Sequence, residues 1–245
     1  MLEAFFWGMV STSSLLLGGL IGISFNVGRR TLGLVMAFGA GVLISAVAYE
    51  LVYEAVATGK GSGGPTLGLA AGALTFFFAD RFISNMGDTG PKTVTAASAM
   101  IIPLTLGIIL DGVPESLVIG LGLFEGGAVS LAMLVAVFIS NVPEAIAGTA
   151  GMRAGGWSSM KILLLWLFIA VFCALATVAG FTLFSDVSHF WLAFVQAFAA
   201  GAILTMLANT MMPEAFEQGG KLAGLFTVLG FTVSVLVVVM ERSQG

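Results

Sequence analysis

The stretch DGVPESLVIG, residues 111–120, and the stretch SNVPEAIAGT, residues 140–149, each place a proline and a glutamate inside a long apolar segment. The triplet Val-Pro-Glu recurs at an offset of 29 residues, so that Glu115 corresponds to Glu144. An ionisable side chain in the middle of a membrane-length apolar segment is costly and commonly marks a functional position. These two stretches are therefore the first candidates for the functional residues of this chain.

The composition is typical of an integral membrane protein. Hydrophobic residues make up 58% of the chain and charged residues 9%, whereas soluble domains carry roughly 25% charged residues. Glu3 precedes the first apolar segment without any Lys or Arg, unlike a cleaved secretory signal, so this segment is expected to remain as a helix. The single cysteine, Cys173, can form no internal disulfide.

Apolar segments long enough to cross a hydrocarbon core of about 30 Å recur along the whole chain. The connectors between them are short and rich in Gly and Ser, so no separate soluble domain is expected. The sequence predicts an all-α, polytopic membrane protein with a single transmembrane domain, residues 1–245. Its eight helices are expected near 4–26, 32–57, 65–86, 96–123, 127–151, 158–184, 188–217 and 220–241.

The basic residues predict the orientation of these helices. With eight spans, the turns after helices one, three, five and seven lie on one side, and they carry seven of the nine basic residues: Arg29, Arg30, Arg81, Lys92, Arg153, Lys161 and Lys221. Lys60 and Arg242 fall on the other side. Because cytoplasmic turns are enriched in Lys and Arg, both termini are expected on the non-cytoplasmic side of the cell membrane.

An internal repeat connects the second helix with the seventh. Residues 37–55 (AFGAGVLISAVAYELVYEA) align with residues 197–215 (AFAAGAILTMLANTMMPEA) at an offset of 160, with seven of nineteen positions identical. Helices rich in Ala and Gly also resemble one another through shared packing needs, but the matched Glu-Ala endings favour a repeat. Helices two and seven run in opposite directions, so the sequence predicts an inverted repeat, helices 1–3 and 6–8, around helices 4 and 5, as in secondary transporters.

Polar side chains on helices four and five predict a cation site at membrane depth. Residues four apart share a helix face, so Asp111 projects with Glu115, and Ser140 projects with Glu144. With Asn141, these residues supply three carboxylates and two neutral oxygen ligands. A bound cation would offset the cost of burying the carboxylates. The alternative is that Pro114 and Pro143 merely bend packed helices and that the acids bond to neighbouring helices.

These motifs resemble those of the ZIP (Zrt/Irt-like) family of divalent metal transporters, which carry His-Asn-x-Pro-Glu on helix four and a similar motif on helix five. The matching positions are Asp111, Gly112, Pro114 and Glu115, then Ser140, Asn141, Pro143 and Glu144. The resemblance implies eight helices with both termini outside and a central metal site. It also implies alternating access, in which helices one, four, five and six move against helices two, three, seven and eight.

The chain departs from the ZIP pattern at several positions. Asp111 and Ser140 replace both motif histidines, and Gly112 offers no side-chain ligand. Helix six carries neither an acid nor a histidine between residues 161 and 186, which argues against a second metal position. A histidine-rich loop between helices three and four is absent, and residues 84–95 (SNMGDTGPKTVT) stand in its place. The chain is expected to belong to a divergent branch.

The ligand set narrows the ion only partly. Carboxylate, hydroxyl and amide oxygens suit Mn²⁺, Mg²⁺ or Ca²⁺, while zinc favours imidazole and thiolate but also binds carboxylates. Thioether ligands from Met206, Met211 and Met212 are a second interpretation, although methionine on an apolar helix more often packs. His189, at the start of helix seven, is expected to be an interfacial residue.

Further acids are expected near the two mouths of the pathway. Glu50 and Glu54 lie near the outer end of helix two, and Glu214 and Glu217 near the inner end of helix seven. They either pass cations towards and away from the centre or are simply solvated. Asp80 is expected to form a local ion pair with Arg81 at the cytoplasmic boundary.

The predicted function is transport of a divalent metal cation, such as zinc, manganese or iron, by a protein that is not an enzyme and uses no cofactor. The metal ion is expected to be the substrate, and the lipid bilayer surrounds the protein. No nucleic-acid partner is expected, and the sequence leaves open whether the protein forms a homodimer. Two alternatives remain. A proton-coupled carrier of a small organic cation would place aromatic side chains beside the acids, and an intramembrane metal-dependent hydrolase would typically use histidine ligands.

Overall fold

The computed structural model describes residues 1–88, 101–126, 130–183 and 188–243. Within these ranges the chain is helical without strands, and eight helices are long and apolar enough to cross a membrane, which confirms the predicted number. They are α1 (Leu2–Ser24), α2 (Arg29–Gly59), α3 (Gly64–Asp88), α4 (Ile101–Gly126), α5 (Leu131–Ala154), α6 (Ser159–Leu183), α7 (His189–Gly219) and α8 (Leu222–Arg242).

The helix ends differ from the predicted ones by a few residues. α2 begins at Arg29, because two arginines are accommodated in its first turn before the apolar run starts. α3 continues to Asp88, two residues beyond the predicted end at residue 86. The predicted beginnings of helix four, at residue 96, and of helix five, at residue 127, lie outside the described residues. A tight turn joins α2 to α3, in which Lys60 and Gly61 both have a positive φ.

The helices pack as two groups of four. In the first group, α1 packs against α5 and α6, and α4 packs against α6. In the second group, α3 packs against α7, and α2 packs against both α7 and α8. Smaller contacts join the groups, chiefly α2 with α5, and α4 with α3 and α7. Helices four and five therefore present one face to their own group and another to the second group.

Glycines allow backbone-to-backbone contact inside each group. At several of them a Cβ would overlap a carbonyl oxygen of the facing helix, so no larger residue fits without separating the helices. Among these pairs are Gly41 with Thr227, Gly201 with Leu69, Gly120 with Thr177 and Gly180 with Leu117. Helices in such contact are expected to move together as a unit.

Two polar contacts strengthen the first group. The indole N–H of Trp166 donates to the hydroxyl of Thr149 at 2.8 Å, which joins α6 to α5 in a fully buried position. The guanidinium of Arg153 donates to the carbonyl oxygen of Gly22 at 3.0 Å, at the end of α1 where helical carbonyls have no partner within the helix. Both contacts attach α5 to other helices of its own group.

Two short π-helical segments interrupt α2 and α7 at corresponding positions. One spans Val47–Val52 and the other Leu207–Met211, and their starts are separated by the offset of 160 at which the sequence repeat aligns. π-helical turns inside α-helices are frequently found at functional sites. The first contains Glu50 and the second contains Thr210.

Candidate functional site

A cavity of about 660 Å³ lies between the two groups of helices. Four of the five predicted central residues line it: Asp111 and Glu115 from α4, and Ser140 and Glu144 from α5. The one-turn spacing in each helix brings each pair to the same wall, as the sequence predicts. α4 and α5 both continue as helices through their prolines, Pro114 and Pro143.

The carboxyl groups around this cavity interact with one another. Those of Asp111 and Glu144 are within side-chain hydrogen-bond reach, and Glu144 is close enough to Glu115 for their charges to repel. The side chain of Glu115 is 2% exposed, and its Oε2 has no hydrogen-bond partner among the described residues. A buried acceptor without a partner is unfavourable, so this oxygen is available for a ligand.

The three carboxylates do not form a complete metal cage in this conformation. Among the described residues, no group of three or more His, Cys, Asp or Glu side chains is arranged to hold one metal ion. An ion bound here would therefore contact fewer than three carboxylates at once. The Ser140 hydroxyl, which donates to the carbonyl oxygen of Val137 at 3.1 Å, and water would complete its coordination.

Asn141 lies outside the cavity lining, unlike the other four predicted residues. It is buried, with 4% of its surface exposed, but successive residues on an α-helix point about 100° apart, so it does not share the face of Ser140. The corresponding position on α4 is Gly112, where a Cβ would lie 2.8 Å from the Sγ of Cys173 on α6. This contact explains why a small residue occupies position 112.

The predicted pathway acids are divided between the two ends of the bundle. Glu214 lines the large cavity and accepts a hydrogen bond of 2.8 Å from Gln218, whereas Glu217 is exposed outside it. Glu50 lines a second, smaller cavity of about 50 Å³ together with Ser130 at the start of α5. Glu54 forms an ion pair with Arg242 at 3.3 Å.

Several residues of the large cavity were not predicted from the sequence. Asp80 lines it and, contrary to the prediction, forms no ion pair with Arg81 in the described structure. Asp80 and Arg81 are consecutive residues of α3, whose side chains point about 100° apart, so that of Asp80 faces the cavity and does not meet that of Arg81. Met36 and Met152, which were not predicted, also line the cavity, and so do Met206 and Met211 from the second interpretation of the sequence. Met212 is 40% exposed and lies elsewhere, and His189 is exposed at the start of α7.

Access to the large cavity is one-sided. Its lining reaches Gly155 and Trp157, beyond the last turn of α5, and Glu214 near the end of α7. The small cavity touches Ser130, at the opposite end of α5. The carboxylates therefore communicate with one end of the bundle, and that end carries the turns with Arg153 and Lys221.

No protein-family model matches the chain, and no curated protein sequence matches it. The arrangement of its own residues is therefore the basis for any function. Chemically, it offers anionic oxygen ligands in a cavity of about 660 Å³ that is bounded by helices of two separate packing groups.

Proposed function

We propose that this protein carries a divalent metal cation across the membrane by alternating access, with Asp111, Glu115, Ser140 and Glu144 as the binding site. The observation that carries the proposal is the convergence of three carboxylates of α4 and α5 on one cavity, with Glu115 buried and its Oε2 unpartnered. Buried carboxylates in such proximity are stabilised by a cation. The cation is the transported substrate and not a resident cofactor.

The lining chemistry bears on the choice of ion. Carboxylate and hydroxyl oxygens suit Mn²⁺, Mg²⁺ or Ca²⁺, and carboxylates also bind zinc or iron. The thioethers of Met206 and Met211 add soft groups to the same cavity. Neither imidazole nor thiolate lines it, so tight retention of zinc is not expected, and weak retention suits a carrier that must release its ion.

Matched packing contacts support the inverted repeat. The contact of Gly41 with the Thr227 carbonyl corresponds to that of Gly201 with the Leu69 carbonyl, since α2 maps onto α7 at an offset of 160 and α3 maps onto α8 at 158. The two π-helical segments follow the same offset. In the other group, Gly22 approaches the carbonyl oxygen of Ile146 as Gly180 approaches that of Leu117. These correspondences relate α1–α3 to α6–α8 and α4 to α5.

The division into two packing groups supports alternating access between them. Backbone overlap at glycine is found inside the groups, while α2 and α5 meet across the boundary more loosely: a Cβ at Gly39 would lie 3.1 Å from the Cα of Ser140. The groups are α1 with α4–α6, and α2 and α3 with α7 and α8. The same division is implied by the resemblance of the two Pro-Glu motifs to the ZIP family.

The distribution of basic residues supports an inward-open state. The large cavity opens at the end that carries Arg29, Arg30, Arg81, Arg153, Lys161 and Lys221, and Lys92, outside the described residues, belongs to the same predicted side. The positive-inside rule assigns this end to the cytoplasm and both termini to the other side of the cell membrane. In this conformation the site would exchange ions with the cytoplasm.

Substitution of the two glutamates tests the proposal. Glu115→Gln and Glu144→Gln keep size and polarity but each removes one charge from a site of low dielectric constant, so the affinity for divalent ions should fall at least about tenfold. Binding is measured by calorimetry on purified protein, and flux is measured in liposomes with a panel of divalent ions. Ser140→Ala is the matched control and should have a smaller effect, because a hydroxyl carries no charge. If both glutamine variants remain folded and bind and carry the ions like the parent, the proposal is wrong.

A carrier of a small organic cation is the second candidate, and the cavity itself favours it. About 660 Å³ exceeds the space needed by a metal ion and falls within the range of small-molecule sites, roughly 300–1,000 Å³. Trp157 lines the same cavity and supplies an aromatic face of the kind that attracts quaternary ammonium groups. The liposome assay separates the candidates: uptake of a quaternary ammonium ion without uptake of any divalent metal would favour the second.

A further inference from the structure

The start of α5 is held by a carboxylate from another helix. Glu241, at the end of α8, accepts hydrogen bonds from the backbone N–H groups of Leu131 at 3.0 Å and Ala132 at 3.3 Å. The next N–H group, that of Met133, donates to the hydroxyl oxygen of Ser130 at 3.2 Å. The first N–H groups of a helix have no partner within it, and a carboxylate there is also favoured by the helix dipole.

Arg242 fixes the position of the neighbouring carboxylate. Its Nη2 donates to the carbonyl oxygen of Tyr49 at 3.2 Å and to Glu54 at 3.3 Å, and its guanidinium lies 5.0 Å from the centroid of the Tyr53 ring. All three partners belong to α2. The ion pair with Glu54 is nearly half exposed, with 45% and 46% of the two side chains accessible, so it adds little stability by itself. Its effect is to place the end of α8, and with it Glu241, over the start of α5.

These contacts connect the two packing groups at the end opposite the mouth of the large cavity. Glu241 and Arg242 belong to the group of α2, α3, α7 and α8, while Leu131 and Ala132 belong to the group of α1 and α4–α6. A second carboxylate, that of Glu50 on α2, lines the same small cavity as Ser130. Beneath them is the small cavity of about 50 Å³.

We propose that Glu241, positioned by Arg242, is a latch that keeps this end of the bundle closed while the large cavity is open at the other end. The contact between Glu241 and the start of α5 must break before the carboxylates of α4 and α5 can communicate with the latch side. The role of the latch in a transport cycle rests on the proposed function. The closure of this end of the bundle is measured by cysteine labelling, which requires no ion.

At the positions that correspond to Glu241 and Arg242 in the repeat, the sequence carries no charged residue. With the offset of 158 between α3 and α8, Glu241 corresponds to Ile83 and Arg242 to Ser84. Neither residue can place a carboxylate on a helix N-terminus. The latch therefore biases the protein towards one of its two conformations.

Two engineered cysteines report which end is open. Gly122 lines the small cavity and Gly151 lines the large one, and no described atom lies within 4 Å of a Cβ at either position, so a cysteine fits both. Gly122→Cys and Gly151→Cys are made separately in a Cys173→Ser background and labelled with a membrane-impermeant maleimide. Adding Glu241→Ala should raise the labelling rate at position 122 roughly tenfold and lower it at position 151, as expected when a charged hydrogen-bonded contact is removed from one of two states.

Control variants separate the latch from general destabilisation. Glu3→Ala removes a carboxylate from the same end of the bundle, at the exposed start of α1, and should leave both labelling rates unchanged. Glu241→Asp keeps the charge and should restore much of the parent pattern. If Glu241→Ala and Glu241→Gln label like the parent at both positions, or raise labelling at both positions alike, the latch is refuted.

A bridged variant tests the latch in the opposite direction, by holding the end of α8 against the start of α5. Glu241→Cys combined with Leu131→Cys and a short bifunctional thiosulfonate joins α8 to α5. The bridge should block labelling at position 122 and stop liposome flux while leaving divalent binding intact, and reduction should reverse it. Unchanged flux in the bridged protein would overturn the latch. If the parent protein carries no divalent metal in liposomes but Glu241→Ala still shifts the labelling, the proposed function is rejected and the latch is retained.

Discussion

Replacing Gly41 or Gly201 with alanine tests the packing on which the repeat depends. A Cβ at position 41 would overlap the carbonyl oxygen of Thr227, and a Cβ at position 201 would overlap that of Leu69. The obstructing atoms are backbone, so rotation of a side chain cannot relieve the overlap. Each substitution must therefore push a pair of helices apart.

The expected destabilisation follows from the balance of two effects. Restoring ordinary carbon–oxygen contact requires the helices to separate by roughly 1 Å or more, and overpacking of this kind costs about 1–3 kcal/mol. Alanine is better than glycine in a helix by about 1 kcal/mol, which offsets part of the loss. The net destabilisation should be about 0–2 kcal/mol relative to the parent protein and about 1–3 kcal/mol relative to an unobstructed glycine-to-alanine control, or roughly 2–12 °C below that control in apparent melting temperature for a chain of this size.

The assay is thermal unfolding of the purified variants in detergent. Gly224→Ala is the matched control, because Gly224 is also helical and exposed and no described atom lies within 4 Å of its Cβ; it should melt at or slightly above the parent temperature. Similar losses for Gly41→Ala and Gly201→Ala are expected, since the two contacts correspond. Melting of both variants at the control temperature would refute the backbone contact, and a loss in one alone would refute the equivalence of the repeats.

Two further predictions concern the boundary between the groups and the choice of ion. Gly39→Ala places a Cβ 3.1 Å from the Cα of Ser140 and 3.2 Å from the methyl group of Met211, which can yield; we expect little change in melting temperature but slower liposome flux, and unchanged flux would contradict a moving boundary there. Asp111→His supplies an imidazole at the cavity and should shift preference towards Zn²⁺ over Mn²⁺ in competition binding; an unchanged ratio would place Asp111 outside the coordination shell.

The helices were predictable from the sequence because their signal is local. An apolar run of membrane length identifies each span regardless of its neighbours, and the eight predicted segments overlap the eight observed helices. Their ends were less predictable. Arg29 and Asp88 belong to helices although hydropathy stops short of them, since a helix can extend its polar ends into the interface.

The central site was only partly predictable, because its members come together through tertiary packing. Spacing of four residues placed Asp111 with Glu115 and Ser140 with Glu144, and all four line the cavity. Asp80 was missed, because nothing local distinguishes an acid that faces a cavity from one at a helix boundary. Whether a side chain faces a cavity depends on the helices packed against it. In the same way, the small residue at position 112 is explained by the contact with Cys173 on α6.

In the proposed inverted repeat, equivalent packing combined with unequal side chains would give the protein a preferred conformation. Glycine contacts at Gly41 and Gly201 correspond at the offset of 160, which supports comparable backbones at the two ends of the bundle. At the offset of 160, however, Glu50 corresponds to Thr210 and Gln196 to Met36, so these matched positions carry a carboxylate and an amide at one end and a hydroxyl and a thioether at the other. Two conformations related by such a repeat would have nearly equal energies if their side chains were alike. In the proposed transport cycle, the hydrogen bonds from α5 to Glu241, which Ile83 cannot reproduce at the corresponding position, would remove that equality and favour the conformation in which the large cavity opens at the opposite end of the described bundle.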